Sequence, residues 1–226
     1  MTLATEWLGT VRYGEALALQ EQAVIDRRAG RTGDRLLLLE HPAVVTLGRN
    51  SHEEHLLTPR AELRARGVDV HEIPRGGDVT YHGPGQLVGY LILDLEPRGR
   101  DVDRLLRSIE AALVDAAGEL GLAAGTLSGM TGVFMRGSEQ TESKPTGRVP
   151  ARKLASIGLG LRQWVSWHGF ALNVSVDPAD FGDIVPCGLH GVEMTSVAAE
   201  LGARTPAELG SLARHAVERA CTEHLG

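Results

Sequence analysis

Residues 153–174 read KLASIGLGLRQWVSWHGFALNV. LASIGLGLR (154–162) and WVSWHGF (164–170) almost touch. GVFMR (132–136) stands ahead of them and ALNVSV (171–176) runs on from them. A parallel crossover needs a dozen or more residues between strands, so these segments read as antiparallel neighbours. RLLLLEHP (35–42), VDVHEI (68–73) and the apolar run LVGYLILDL (87–95) supply further strands. Helical spacing appears between Gly14 and Gly30, with Ala16, Leu19, Ala23 and Val24 on one face, and from Asp103 to Leu120, with Leu106, Ile109, Leu113 and Ala117. Thr58-Pro59 opens a short helix that Gly67 ends, and Thr205-Pro206-Ala207-Glu208 is a capping box before the last helix. The expectation is an α/β chain of the α+β type: one catalytic domain over residues 1–226, with a mixed, largely antiparallel sheet flanked by helices.

With 23 Lys plus Arg against 29 Asp plus Glu, the chain carries a formal charge of −6. No basic cluster of the kind that binds phosphate backbones stands out, which argues against a nucleic-acid binder. No apolar run approaches the roughly 20 residues of a membrane span. The start, MTLATEWLGTVRYGEA, lacks a basic segment followed by an apolar one, so the reading expects a cytoplasmic protein. The densest run of cations is Arg98, Arg100, Arg104 and Arg107, which reads either as a solvated helix face or as a docking patch. Residues 136–152, RGSEQTESKPTGRVPAR, have no apolar period and read as a mobile polar loop, either a tolerated insertion or a lid.

The familiar templates for nucleotide, hydrolase-type serine and zinc-protease chemistry are absent. His52 with His55, and Cys187 with His190, each make half a zinc site, and no metal or other cofactor is expected. The segment RGGDVTYHGPGQ (75–86) packs four Gly and a Pro among Arg, Asp, Thr, Tyr, His and Gln. Glycines let backbone approach a ligand and the polar residues supply donors, so it reads as a binding wall. Of the two cysteines, Cys221 falls inside the apolar period of the last helix, whereas Cys187 stands in a Pro-Cys-Gly turn. That placement favours Cys187 as a nucleophile, given a base or cation beside it. Lys153 is the candidate, because it opens an apolar strand in a chain whose only other lysine is Lys144. An ammonium stripped of water gives up its proton more readily.

RGGDVTYHGPGQ, KLASIG (153–158), HGFALNV (168–174) and PCG (186–188), in that order along the chain, resemble the four signatures of the octanoyltransferases, also called lipoate-protein ligase B, and TLGR (46–49) agrees with them. The resemblance spans nearly the whole chain and implies the biotin and lipoate ligase fold. It implies transfer of an octanoyl group from octanoyl-acyl carrier protein to a lysine of lipoyl domains, those of 2-oxoacid dehydrogenase complexes and of the glycine cleavage H protein. The acyl-thioester nucleophile then falls on Cys187 and its lysine partner on Lys153. The substrate-binding stretches fall on Arg75, Gly76, Gly77, Asp78, Val79, Thr80, Tyr81 and His82, on Ser156, Ile157 and Gly158, and on Gly169, Phe170 and Ala171. An ATP-dependent lipoate ligase and a non-catalytic lipoyl-domain binder are the alternatives; Cys187 with its Pro and Gly neighbours favours the transferase over the ligase, and Cys187 together with Lys153 speaks against the binder.

Overall fold

The computed structural model of the chain describes residues 2–137, 151–188, 191–202 and 205–226, with Cys187 described by its backbone. In chain order the elements are β1 (Leu3–Thr10), α1 (Tyr13–Arg28), β2 (Asp34–Glu40), β3 (Val44–Leu47), α2 (Arg60–Ala65), β4 (Asp69–Glu72), β5 (Val79–His82) and β6 (Gln86–Ile92). There follow α3 (Val102–Glu119), β7 (Ala124–Leu127), β8 (Met130–Met135), β9 (Ala151–Arg162), β10 (Val165–Asn173), β11 (Val192–Met194), α4 (Val197–Leu201) and α5 (Pro206–Leu225). The large sheet runs β1-β2-β6-β10-β9-β8-β7, with β11 also on β9, and a small sheet runs β4-β3-β5. Only β1 with β2, β3 with β4, and β9 with β11 pair in parallel, so the mixed and largely antiparallel sheet expected from sequence is the one observed.

Every residue of β6 and of β10 is buried, because helices cover both faces of the sheet. That is why β6 beyond Gln86 is a continuous apolar run rather than an alternating one, and why the Ser166, His168 and Asn173 that interrupt β10 are buried. On one face α3 and α5 press Leu105, Ile109, Leu113, Ala213, Ala216 and Val217 onto Leu36, Leu38, Leu91 and Leu172. On the other, Ala16, Ala23 and Val24 of α1 lie over Leu37, Leu39, Val88 and Trp167. β6 and β10 approach closely at Gly89, where any side chain would collide with the ring of Phe170, its cross-strand partner.

Three local expectations give way to tertiary contacts. In α1 it is Gln20 that is buried and Leu19 that is exposed, and the Gln20 Oε1 accepts the backbone N–H of His168 at 2.9 Å. Thr58 does not cap α2, which starts one residue later than its sequence suggests. Its hydroxyl instead donates to Asp183 at 2.6 Å, and Pro59 stands at the cap position. Residues 138–150 of the polar stretch lie outside the described residues, while Ala151 and Arg152 belong to β9 rather than to a loop. The capping box of α5 forms as read, with Thr205 and Glu208 exchanging side-chain-to-backbone bonds. Among the described residues no helix is long and apolar enough to cross a membrane.

Three imidazoles, those of His41, His82 and His168, are buried. The Nδ1 of His41 faces the Val11 carbonyl at 2.7 Å, which can only accept, so Nδ1 carries the proton and Nε2 accepts from the Tyr90 hydroxyl at 2.7 Å. Burial pulls His41 down to about 4. Burial, then the neighbouring His41 and Arg75, pull His82 down to about 3. Burial, then Arg75, pull His168 down to about 3 as well. These rings are neutral when the chain is folded, whereas in the unfolded chain they take up protons below about 6.5. Their contribution to stability is therefore complete above about pH 6.5 and is lost as pH falls toward 4 and 3. We expect the melting temperature to fall across that window. His168→Phe, which keeps a ring beside Trp167, should flatten the dependence by about 1.4 kcal/mol per pH unit between pH 4 and 6. Parallel denaturation curves for the two proteins across those pH values would contradict a neutral buried His168.

Candidate functional site

Arg75 anchors the glycine-rich wall. Its guanidinium is buried, donating through Nη2 to the Thr46 carbonyl and hydroxyl, each at 3.0 Å, and through Nη1 to the Gly76 carbonyl at 3.0 Å. Backbone bonds from Arg49 to Arg75, from Asn50 to Gly77 and from Gly48 to Asp78 lay the end of the TLGR stretch and the Asn50 that follows it along this wall. The Gly76 N–H donates to the Leu159 carbonyl at 2.8 Å, which docks the wall onto β9. The sequence signatures at 46–49, 75–82 and 156–158 are therefore one surface.

That surface closes a cavity of about 430 Å³. Lys153, Arg75, Gly76, Gly77, Asp78, Thr80, His82, Ser156, Ile157, Gly158, Gly169, Phe170 and Ala171 line it. Val79 and Tyr81 do not. On β5 successive side chains point to opposite faces, so these two pack with Val45, Leu47, Leu63 and Phe181 under the small sheet. Val88, Val102, Leu106, Met130, Leu159, Tyr13, Tyr90 and His168 line the cavity without having been singled out from sequence. For His168 a signal existed, since it heads the HGFALNV signature. Leu106 shares the helical spacing of Ile109 and Leu113, which gives it no signal of its own. Tyr13 carries no sequence signal.

The cavity is apolar along much of its length, with neutral aromatic polar groups at one region and Lys153 at another. His168 pairs with Leu159, six residues along β9 from Lys153, or roughly 20 Å at the rise of a strand. Both ring nitrogens of His168 are buried without a hydrogen-bond partner among the described residues, and the ring stacks on Trp167 at 4.1 Å. Lys153 is only 2% exposed. Its Nζ lies 5.5 Å from the centre of the Phe134 ring, and its carbonyl accepts from Thr195. Gly132, at φ 124°, leaves the room that the Lys153 stem fills, since a Cβ there would sit 2.8 Å from Cε. The Gly132 N–H is held by the buried carboxylate of Glu110 at 3.0 Å, which also binds Arg107.

A buried relay connects the wall to the strand that carries Lys153. His82 Nδ1–H donates to Gln86 Oε1 at 2.6 Å, and Gln86 Nε2 donates to the Asn173 side chain at 2.9 Å. Asn173 Nδ2 donates to the Thr195 carbonyl at 2.9 Å, and the Thr195 N–H meets the Lys153 carbonyl at 3.0 Å. The His, Gln and Asn of two separate signatures thus form one chain of hydrogen bonds.

Cys187 lies in a single helical turn, Pro186–Gly188, closed by the Gly188 N–H on the Val185 carbonyl at 3.0 Å. Gly188 packs against Asp78, so the turn borders the cavity wall. Cys221 is wholly buried in α5, where desolvation pushes its thiol up to about 12. His190 lies outside the described residues, and among those described no three His, Cys, Asp or Glu side chains gather as metal ligands. Of the arginine run, Arg98 turns inward to Asp34 and the Leu225 carbonyl, Arg100 pairs with Glu96 and Arg107 with Glu110, while Arg104 is exposed on α3.

Residues 12–223 match the family model of the lipoyl protein ligase A/B catalytic domain. An octanoyltransferase of Solibacter usitatus is 49% identical over 197 residues, 87% of this chain and 82% of that protein. One from Geobacter metallireducens is 45% identical over 212 residues, 94% of this chain and 89% of that protein. Among solved structures, lipoate-protein ligase A bound with ATP superposes with a TM-score of 0.71 at 17% identity, covering 100% of this chain and 86% of that one. The bi-partite lipoate protein ligase of Thermoplasma acidophilum gives 0.64 at 15% identity, covering 99% and 84%. Those structural likenesses carry the fold, and the sequence match carries the lineage: the chain belongs to the lipoyl protein ligase A/B catalytic domain family.

Proposed function

We propose that this chain acts as one catalytic unit that passes an octanoyl group through a thioester on Cys187, with Lys153 moving the protons. It is an acyltransferase of protein lipoylation, as its octanoyltransferase relatives are by name. The observation that carries the covalent route is a buried lysine in the same cavity whose Asp78 wall touches the turn bearing Cys187. The donor is octanoyl-acyl carrier protein. The acceptors are lysines of lipoyl domains, in 2-oxoacid dehydrogenase complexes and the glycine cleavage H protein, and the reaction belongs to the cytoplasm.

In the first half Lys153 accepts the Cys187 proton. The thiolate attacks the octanoyl carbonyl, a new C–S bond forms, the donor's C–S bond breaks, and Lys153 returns the proton to the departing thiol. In the second half the acceptor amine attacks the Cys187 thioester, loses a proton to Lys153, and leaves as the amide. Cys187 is regenerated. Exchange between thioesters is nearly balanced and the amide is more stable, so neither half calls for activation by a nucleotide. The apolar walls of Val88, Ile157, Leu159 and Phe170 suit an alkyl chain. The ATP-dependent ligase reading has the family model, which spans ligases A and B, and a fold likeness at 17% identity, whereas the relatives at 45–49% identity are octanoyltransferases.

Intact mass after exposure to octanoyl-acyl carrier protein without acceptor should show one added octanoyl group on the wild type and on Cys221→Ala. Cys187→Ala and Cys187→Ser should show none on the cysteine and no transfer; an acylated, active Cys187→Ala would remove the covalent route. Lys153→Arg should lose activity nearly as fully as Lys153→Ala, about 10²- to 10⁴-fold, because a guanidinium keeps the charge but holds its proton at neutral pH. Substantial turnover by Lys153→Arg would mean that charge alone suffices.

A further inference from the structure

His55 and Asp78 come from segments 23 residues apart and meet beneath the turn that carries Cys187. His55 Nδ1–H donates to Asp78 Oδ2 at 2.5 Å, and Asp78 Oδ1 accepts the Val79 N–H at 2.7 Å, so both oxygens of the carboxylate are engaged. Both side chains are largely buried. Gly188 lies directly on this pair: at φ 63° it has no side chain, and a Cβ there would collide with Asp78 Oδ2 and sit 2.9 Å from His55 Cε1. The backbone around His55 grips the same turn. The Val185 N–H donates to the His55 carbonyl at 2.8 Å, the Leu57 N–H to the Asp183 carbonyl at 2.8 Å, and Leu56 bridges Ile184.

We infer that His55 and Asp78 are positioning residues, a hydrogen-bonded latch that fixes the Pro186–Gly188 turn against the acyl cavity. This rests on the proposed thioester route. Asp78 faces the cavity on one side and Gly188 on the other, so the pair sets where the turn stands relative to the acyl carbonyl. Small misplacements of a reacting group cost rate more than binding. His55 holds the turn through its Nδ1 rather than by exchanging protons with substrate. Asn places an amide N–H at the same branch of the side chain and therefore reproduces the bond. Gln fills similar space but carries its amide one atom farther out.

The test is single-turnover acylation of Cys187 by octanoyl-pantetheine, followed by intact mass, with melting curves as the check on folding. His55→Ala is expected to slow acylation about ten- to a hundredfold while the Michaelis constant for the thioester stays within about twofold. His55→Asn should recover most of the rate. His55→Ala/Asp78→Ala should be no slower than the slower single variant, as expected of two groups acting as one unit. Where His55→Ala does not fold, His55→Gln takes its place, with the same slowing expected. Wild-type rates in His55→Ala or its replacement, equal slowing in His55→Asn, or additive losses in the double variant would each overturn the latch. A wild type that forms no adduct removes the thioester route itself and the latch with it, and that result is distinct from an acylated wild type with unaffected variants.

Discussion

The register between β9 and β10 is the constraint on which the site depends. Ser156 faces Ala171, Ile157 faces Phe170, Gly158 faces Gly169 and Leu159 faces His168. Along a strand the side chains alternate, so a slip of one residue would turn every one of these groups to the other face. Such a slip would also move Lys153, three residues before Ser156 on the same strand. Two signatures, 153–158 and 168–174, are thus locked into one wall by backbone hydrogen bonds, and the wall can be no more accurate than that ladder. Burial of every residue of β10, and of Lys153, Leu154 and Ala155 on β9, makes the register costly to change, since a slip would send each of these side chains into the packing layer of the opposite face.

A second requirement follows from putting polar groups into a dry sheet. A buried donor or acceptor left without a partner costs about 1–3 kcal/mol, so polar residues introduced for binding bring further polar residues with them. His82 is satisfied by Gln86, Gln86 by Asn173, and Asn173 by the Thr195 carbonyl. This accounts for Gln86 and Asn173 in their signatures: they serve the hydrogen-bond inventory of the wall and tie it to the strand of Lys153. The unpartnered nitrogens of His168 stand out against that background. The same dryness keeps the imidazoles uncharged, with Arg75 opposing any second positive charge beside it.

Much of this was legible in the amino-acid order. The near-contiguous strands at 154–176 announce antiparallel pairing, because the chain between them is too short for anything else. The capping box at Thr205 and the apolar period behind it define α5 locally. Cys221 inside that period and Cys187 in a Pro-Cys-Gly turn are told apart by their neighbours alone, and the wall at 75–86 shows itself through a mixture of Gly and polar residues that a turn does not need. Each of these features is decided within a few residues of itself.

What tertiary structure decided are the features whose partner lies far along the chain. Thr58 has the chemistry of a helix cap, but Asp183, 125 residues away, takes its hydroxyl. Leu106 has the spacing of a core residue and lines the cavity, while Gln20 has the chemistry of a surface residue and is buried against the His168 backbone. Val79 and Tyr81 stand within a binding signature and face away from the cavity, because strand alternation and a second core overrule composition. His55, read from sequence as half of a zinc site with His52, finds Asp78 instead. Local order sets which conformations and chemistries a segment favours; the partners that satisfy a buried hydrogen bond are set by how the sheets pack, and no window of sequence contains that information.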